Sequence, residues 1–206
     1  SAASDVYKRQ VYTSWSSDST DLSRWVDMEA NLVRNSWGTR TSYNTKTGAF
    51  TYRNDNVNGN WDAKLAAGFS RSIDKQHRFR FSADAKLGYV RSVDFDIDYD
   101  NKGAELSKVN TWSPSVGASL TYQLKDFLWK VKGKYEGKYS CSNLEIFEDI
   151  KACDFQYGTE LQYTIPWMKV GIQTDLTMFT RKGYNSNEMN TDDLVWNAMS
   201  TRTFCK

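Results

Sequence analysis

Apolar residues occupy every second position of the stretch from Arg78 to Tyr99, and charged or small residues lie between them. Side chains of a β-strand point alternately to opposite faces, so this pattern predicts one strand with an apolar face and a charged face. Strands in soluble domains usually run about five to six residues, whereas this one runs about twenty. A strand that crosses a bilayer needs about 9–11 residues, and outer-membrane strands extend beyond the lipid. The length therefore favours a membrane barrel.

Aromatic residues recur ten positions apart on the apolar side of three consecutive predicted strands, as Phe79–Tyr89, Trp112–Tyr122 and Trp129–Tyr139. Ten residues at about 3.3 Å each, on strands tilted by about 40°, span roughly 25 Å along a membrane normal, the height between two interfacial aromatic bands. A soluble β-sandwich with aromatic residues on its inner face is the alternative, but its strands would be about half as long. The predicted membrane-interface aromatics are Phe79, Tyr89, Trp112, Tyr122, Trp129, Tyr139, Tyr163 and Trp167.

The same alternation predicts an all-β chain of nine long antiparallel strands, in which short turns such as Lys125–Asp126 alternate with longer loops such as Ser142–Lys151. Outer-membrane barrels show this asymmetry between periplasmic turns and extracellular loops. An odd number of antiparallel strands leaves the first and last running in the same direction, which predicts an open arc of a larger transmembrane β-barrel. The predicted strands are Val11–Trp15, Arg24–Tyr43, Ala49–Ile73 with a bulge near Asn58–Gly59, Arg78–Tyr99, Asn110–Leu124, Phe127–Cys141, Ala152–Ile165, Met168–Lys182 and Leu194–Phe204.

The composition of the chain argues against some classes of protein. The 206 residues include 27 Lys and Arg against 25 Asp and Glu, so no nucleic-acid partner is expected. The mean hydropathy is −0.68, and no run approaches the roughly 18 apolar residues of a transmembrane helix. A barrel is compatible with this value because half of every barrel strand faces a polar lumen. Residues 1–10 do not join the strand pattern and are predicted to be an adapter-derived or disordered segment, which leaves 11–206 as a partial outer-membrane β-barrel domain.

Two late segments carry a family resemblance. Tyr163–Tyr184, YTIPWMKVGIQTDLTMFTRKGY, and Met189–Ala198, MNTDDLVWNA, resemble the C-terminal β-barrel region of TonB-dependent receptor-like outer-membrane proteins of Bacteroidota. The run Asn58-Gly59-Asn60-Trp61 fits the same pattern. The resemblance covers about Val11 to Phe204. It implies a complete protein with an N-terminal carboxypeptidase-regulatory-like domain, a plug domain and a barrel of about 22 strands, of which this chain is predicted to be a fragment.

The resemblance also implies a function. The chain would form part of the barrel of a receptor or transporter for nutrient uptake in the bacterial outer membrane. Its partners would be outer-membrane lipid, the remainder of the barrel, the plug and, through the full-length protein, the TonB energy-coupling complex. A stand-alone small barrel with an adhesin or structural role is the alternative, which the chain length alone supports.

Two charged clusters are candidate sites. Asp94, Asp96, Asp98 and Asp100 are placed on one face of a continuous strand, where clustered carboxylates are candidates for calcium. A hydrated acidic strip is the simpler interpretation, so no metal and no cofactor are predicted. A basic stripe, made of Lys130, Lys132, Lys134 and Lys138, is predicted to neutralise the acidic strip or to contact a plug.

The remaining candidates for reactive side chains are the histidine and the cysteines. His77 is the single histidine and falls in a predicted turn, so neither a Ser-His-Asp site nor a zinc site with several histidines is available, and the chain is predicted not to be an enzyme. Cys141 and Cys153 flank one loop on the apolar register and are predicted to lie near each other. The sequence leaves open whether they form a disulfide or stay reduced. Cys205 is predicted to be unpaired.

Overall fold

A computed structural model describes residues 7–19, 22–34, 36–144 and 148–202 of the chain. These residues are folded almost entirely as strands, with one short 3₁₀ turn at Asn187–Met189. No helix in this part of the chain is long and apolar enough to span a membrane. The strands are β1 Tyr7–Asp18, β2 Leu22–Arg34, β3 Ser36–Asn44, β4 Ala49–Val57, β5 Asn60–Ser72, β6 Phe79–Phe95, β7 Asp98–Tyr99, β8 Leu106–Leu124, β9 Phe127–Ser142, β10 Ile150–Ile165, β11 Val170–Lys182 and β12 Asp192–Arg202.

Nine of these strands form one antiparallel sheet in the order β1-β2-β5-β6-β8-β9-β10-β11-β12. Each strand pairs with the next strand of the sheet, as the period-two pattern predicted. Among the described residues, β2 pairs with β1 and β5, and β12 pairs with β11, so no pairing closes the sheet. The predicted open sheet of nine antiparallel strands is therefore confirmed.

Connections at the two ends of the sheet differ in length. The turn end carries the short connections, including the Lys125–Asp126 turn between β8 and β9 and the turn from Asp74 to His77. The loop end carries the connections between β2 and β5, β6 and β8, β9 and β10, and β11 and β12. The predicted alternation of short turns and long loops is present in the fold.

A second, three-stranded sheet, in the order β4-β3-β7, lies at the loop end. The predicted strands Arg24–Tyr43 and Arg78–Tyr99 are wrong in this region, because each divides and sends its last part into this sheet. The Asp98 carboxylate explains why the chain leaves β6: it is buried and accepts hydrogen bonds from the Arg40 guanidinium, the Ser42 hydroxyl and the backbone N–H of Gly103. The predicted strand Ala49–Ile73 divides at Asn58–Gly59, where the bulge was expected.

The first strand begins earlier in the chain than predicted. β1 begins at Tyr7, and its residues Tyr7 to Gln10 pair with Arg34 to Asn31 of β2. Part of the segment predicted to be adapter-derived or disordered therefore lies in the sheet, because backbone pairing needs no apolar alternation. The remaining residues of that segment, 1–6, lie outside the described residues, as do Cys205 and the end of the predicted strand Leu194–Phe204.

The sheet is not packed around a hydrophobic core. In the described part of the chain, the buried hydrophobic residues are Val57, Val93 and Ala152, and all three lie at the loop end. A soluble domain of about 150 residues or more normally buries about 70% of the surface of its unfolded chain. Most of the large apolar residues of the nine-stranded sheet are instead exposed on one open face.

Candidate functional site

The strand pairings divide the nine-stranded sheet into two chemically different faces. The apolar face consists of the odd-numbered residues of β1, β5, β6, β9 and β10 and the even-numbered residues of β2, β8, β11 and β12. Leu65 and Leu87 are partners across β5 and β6, and Leu120 pairs with Val131 across β8 and β9. The other residues of these strands form the polar face.

The predicted register is confirmed on both faces. Cross-strand pairing puts six predicted residues together on the apolar face: Phe81, Leu87, Leu120, Val131, Leu161 and Leu176. The polar face carries Arg80, Lys86, Lys132 and Gln162, as predicted. Because neighbouring strands keep the same register, the separation of the two faces extends across the whole sheet.

Apolar side chains remain exposed in the middle of the apolar face. Val116 is 53% exposed, and its strand neighbours are Ala85 on β6 and Tyr135 on β9. Leu161 on β10 and Leu176 on β11 are also exposed. Monomeric soluble proteins rarely expose a contiguous apolar surface larger than a few hundred Å². An exposed apolar face of this kind is typical of a surface that contacts another protein or a membrane.

Aromatic residues form two rows on the apolar face. At the loop end, Tyr89 lies between Trp61 and Trp112, with ring centres 4.5 Å from each, and Trp112 pairs with Tyr139. At the turn end, Phe79 and Tyr122 have ring centres 4.6 Å apart. The predicted residues Trp129 and Tyr163 lie in this turn-end row, and Trp167 lies in the adjoining turn.

The rows contain residues that the spacing argument missed. Trp61 and Phe127 belong to them, but the positions ten residues further on are Arg71 and Gly137, so a search for aromatic pairs passes over both. Their position on the alternating apolar register was the available signal. Aromatic side chains also lie between the rows, notably Tyr135, whose hydroxyl is hydrogen-bonded to that of Tyr139 at 2.5 Å.

The polar face carries charged and amide side chains along the full length of its strands. The Glu29 carboxylate accepts hydrogen bonds from Gln10 and Asn31, and lies 3.9 Å from the Lys64 ammonium. The Glu160 carboxylate accepts hydrogen bonds from Gln162 and Gln173. Such side chains are solvated or mutually paired, so this face is suited to water.

The basic stripe lies in the middle of the polar face. Lys130, Lys132 and Lys134 line a recess together with Ser119 of β8 and Asp84 of β6. Lys134 also forms an ion pair with Glu136 at 2.8 Å. The acidic strip lies at the loop end, so the predicted mutual neutralisation of the two clusters does not occur along these strands.

The four candidate metal ligands do not share one strand face, which corrects the predicted arrangement. β6 ends at Phe95, and Asp98 belongs to the three-stranded sheet. Asp100 lies in a turn with a φ of 57° and accepts hydrogen bonds from the backbone N–H and the hydroxyl of Thr45. These donors lower the pKa of Asp100, the hydroxyl more than the N–H. No group of three or more metal-binding side chains occurs in the described ranges, which include Asp94 and Asp96.

The predicted proximity of Cys141 and Cys153 is wrong. Both thiols are free. Cys153 pairs with Gly137 of β9, four residues before Cys141, which corresponds to about 13 Å along the strand. A disulfide requires Cα atoms within about 7 Å, so the strand register prevents the bond.

Tyr184, in the loop after β11, contacts the polar face. Its hydroxyl lies 3.0 Å from both carboxylate oxygens of Asp154 on β10. Burial raises the pKa of Tyr184, and the hydrogen bond to Asp154 raises it further. The neutral phenol is therefore the form that this contact favours.

We expect the Tyr184 contact to stabilise the fold up to about pH 10 and to lose this effect at higher pH. The unfolded phenol ionises near pH 10, whereas the folded phenol ionises later, so the contribution disappears as the pH rises through the folded pKa. Urea unfolding of the wild type and Tyr184→Phe over a pH series measures the difference. Asp154→Asn is the matched control and should shift the phenol titration towards the ordinary value. A phenol that titrates at or below the usual tyrosine pKa would contradict the prediction.

Comparison of the chain with protein-family models, with curated protein sequences and with solved structures found no match.

Proposed function

We propose that this chain is part of the wall of a transmembrane β-barrel in the bacterial outer membrane. In this proposal the apolar face meets lipid and the polar face lines the lumen. One observation carries the proposal: the apolar face has no charged side chain in its middle at any described strand position, although the polar face of the same strands carries Asp84, Lys86, Lys132 and Glu160 there. A charge on the lipid face of a barrel is costly at the bilayer midplane, whereas the lumen tolerates it.

The position of the second sheet argues against a soluble sandwich. A sandwich would cover the apolar face with a second sheet about 10 Å away. In the described residues the second sheet instead extends from the loop end, where Gly38 of β3 lies against Asp94 and Phe95 at the end of β6. The apolar belt between the two aromatic rows, from Phe79 to Tyr89 on β6, is left without a protein cover. Its height of roughly 25 Å is that of the apolar band of an outer-membrane barrel.

The strand count supports a larger barrel over a small closed one. β1 and β12 are the first and last of nine antiparallel strands, so they run in the same direction. An all-antiparallel barrel that includes them needs an odd number of further strands between them. An eight-stranded barrel without β1 would need β2 bonded to β12, but the neighbours of β2 are β1 and β5. This arrangement favours the transporter wall over the stand-alone adhesin or structural barrel.

We further propose, on the family resemblance of Tyr163–Tyr184 and Met189–Ala198, that the barrel belongs to a TonB-dependent receptor for nutrient uptake. The loops at the loop end would face the exterior and the short turns the periplasm. The plug and the energy-coupling complex would act through the full-length protein. The polar face would then form part of the path that the nutrient follows.

Cysteine accessibility in intact cells tests the membrane topology. In the full-length protein with its native cysteines replaced by serine, we introduce Asn185→Cys at the loop end and Lys125→Cys at the turn end. An impermeant maleimide should label the loop-end cysteine in intact cells, and the turn-end cysteine only after the outer membrane is permeabilised. Equal labelling of the two in intact cells, or recovery of the protein in the soluble fraction, would overturn the proposal.

The receptor role has its own test. Nutrient uptake by the full-length protein should stop when an uncoupler collapses the proton-motive force, because energy coupling depends on it. If uptake continues unchanged, the proposed TonB-dependent mechanism is wrong, whereas the proposed membrane barrel is unaffected by the result.

A further inference from the structure

Among the described side chains, the charged residues on the apolar face are confined to its borders, and nearly all of them are basic. Each lies within three apolar-face positions of a strand end. The set contains eight basic residues and one acidic residue: Arg9, Arg24, Arg71, Arg91, Lys108, Lys151, Lys182, Arg202 and Asp192.

The bias does not follow from the composition of the chain. The whole chain has 27 basic and 25 acidic residues. The polar face of the same strands has eight basic residues with described side chains: Lys64, Arg80, Lys86, Lys130, Lys132, Lys134, Lys138 and Arg181. It has eleven acidic ones: Asp18, Asp27, Glu29, Asp62, Asp84, Asp94, Glu136, Asp154, Glu160, Asp175 and Asp193. The excess of positive charge is specific to the borders of the apolar face.

Six of these residues lie at the loop end: Arg9, Arg91, Lys108, Lys151, Lys182 and the acidic Asp192. We define the basic border as Arg91, Lys108, Lys151 and Lys182. They lie directly beyond the loop-end aromatic row, since Arg91 pairs with Trp61 and Lys151 pairs with Tyr139. The three lysines are exposed. The Arg91 Nε–H is buried without a hydrogen-bond partner in the described structure. No carboxylate of the described residues forms an ion pair with any of the four.

We propose that the basic border binds the phosphate groups of anionic lipids in the leaflet on the loop side of the membrane. The inference rests on the proposed function, because it requires lipid against the apolar face. Long lysine and arginine side chains at such a level extend their charged ends to the head groups while their stems stay in contact with apolar surface. Each basic residue near an anionic membrane surface contributes about fivefold in affinity.

The width of the basic border distinguishes a lipid surface from a single dissolved anion. Arg91 on β6 and Lys182 on β11 are separated by four strand-to-strand steps, about 19 Å at 4.8 Å each. A free phosphate cannot contact both residues. A layer of head groups, each with its own phosphate, can contact all four.

Tryptophan quenching by brominated lipids tests the proposal, since Trp61 and Trp112 lie beside the basic border. The full-length protein is placed in phosphatidylcholine vesicles that contain, at the same mole fraction, either brominated phosphatidylglycerol or brominated phosphatidylcholine. The wild type should be quenched more strongly by the brominated anionic lipid. The triple variant Arg91→Gln, Lys108→Gln, Lys151→Gln should reduce the apparent affinity for that lipid at least about fivefold.

The matched control removes three positive charges from the polar face, as Lys130→Gln, Lys132→Gln and Lys134→Gln, and should keep the preference for anionic lipid. Quenching of the wild type by neither lipid would overturn the proposed function together with this inference. Equal quenching by both lipids would overturn the lipid-phosphate site alone. An equal loss of preference in the two triple variants would also overturn it, because the effect would then come from net charge.

Discussion

Replacing Val116 with arginine is expected to destabilise the chain in a bilayer by about 2–4 kcal/mol. Val116 lies on the apolar face about midway between Trp112 and Tyr122, the β8 residues of the two aromatic rows. Its side chain is 53% exposed and its strand neighbours are Ala85 and Tyr135, so in the proposed arrangement a guanidinium there would meet lipid and no carboxylate of a neighbouring strand position. Urea unfolding in phosphatidylcholine vesicles measures the effect.

Ser113→Arg is the matched control for Val116→Arg. Ser113 is exposed on the polar face of the same strand, where it pairs with Gly88 of β6. An arginine at this position would face the lumen and should cost little. If the two variants lose the same stability in lipid, or if Val116→Arg is harmless, the assignment of the apolar face to lipid is wrong.

The strand pattern was sufficient to predict the nine antiparallel strands of the large sheet and the face on which their residues lie. A strand alternates with a period of two, and a slip of one residue would move every apolar side chain to the other face. The alternation thus predicted that Phe81, Leu120 and Val131 share one face, and the structure pairs Phe81 with Leu120 and Leu120 with Val131. Local alternation therefore specifies a global arrangement when the two faces differ so strongly.

The pattern failed where a strand changes partners without changing its alternation. Ile97 and Tyr99 continue the spacing of β6, so nothing in the alternation marks the end of that strand at Phe95. The departure depends on tertiary contacts, namely the hydrogen bonds of Asp98 with Arg40 and Ser42. Alternation along one strand contains no information about such distant partners.

The residues of the candidate site were also predictable only in part from the sequence. Six of the eight predicted aromatics were identified by spacing, and all eight except Trp167, which lies in a turn, occupy strand positions on the apolar face. The cysteine pair and the acidic cluster failed because both depended on distances between elements. The strand register decides how far Cys141 is from Cys153, and the end of β6 decides where Asp98 points. The basic border becomes visible only once the pairings assign each charged residue to a face.

Gly183→Ala is expected to destabilise the fold by about 2–5 kcal/mol. Gly183 follows β11 at the loop end with a φ of 80°, where an alanine costs about 1–2 kcal/mol. A methyl group built on Gly183 would also overlap the backbone carbonyl oxygen of Lys151 and approach the Cα of Ala152. Backbone atoms of a paired strand cannot rotate away, so β10 would have to shift, at a cost of about 1–3 kcal/mol more.

Gly48→Ala is the matched control, because it measures the backbone cost of replacing a glycine of positive φ without the steric contact. Gly48 closes the turn between β3 and β4 with a φ of 68°, but no atom lies within 4 Å of the position that its Cβ would occupy. Gly48→Ala should therefore lower the free energy of unfolding by only about 1–2 kcal/mol, the cost of a left-handed backbone conformation for alanine. Urea unfolding of both variants in the same vesicles gives the comparison. The stability lost by Gly183→Ala minus that lost by Gly48→Ala gives the energy of the contact between the new methyl group and the backbone of β10. If the two variants lose the same stability, the chain at Gly183 does not lie as close to Lys151 as the structure shows.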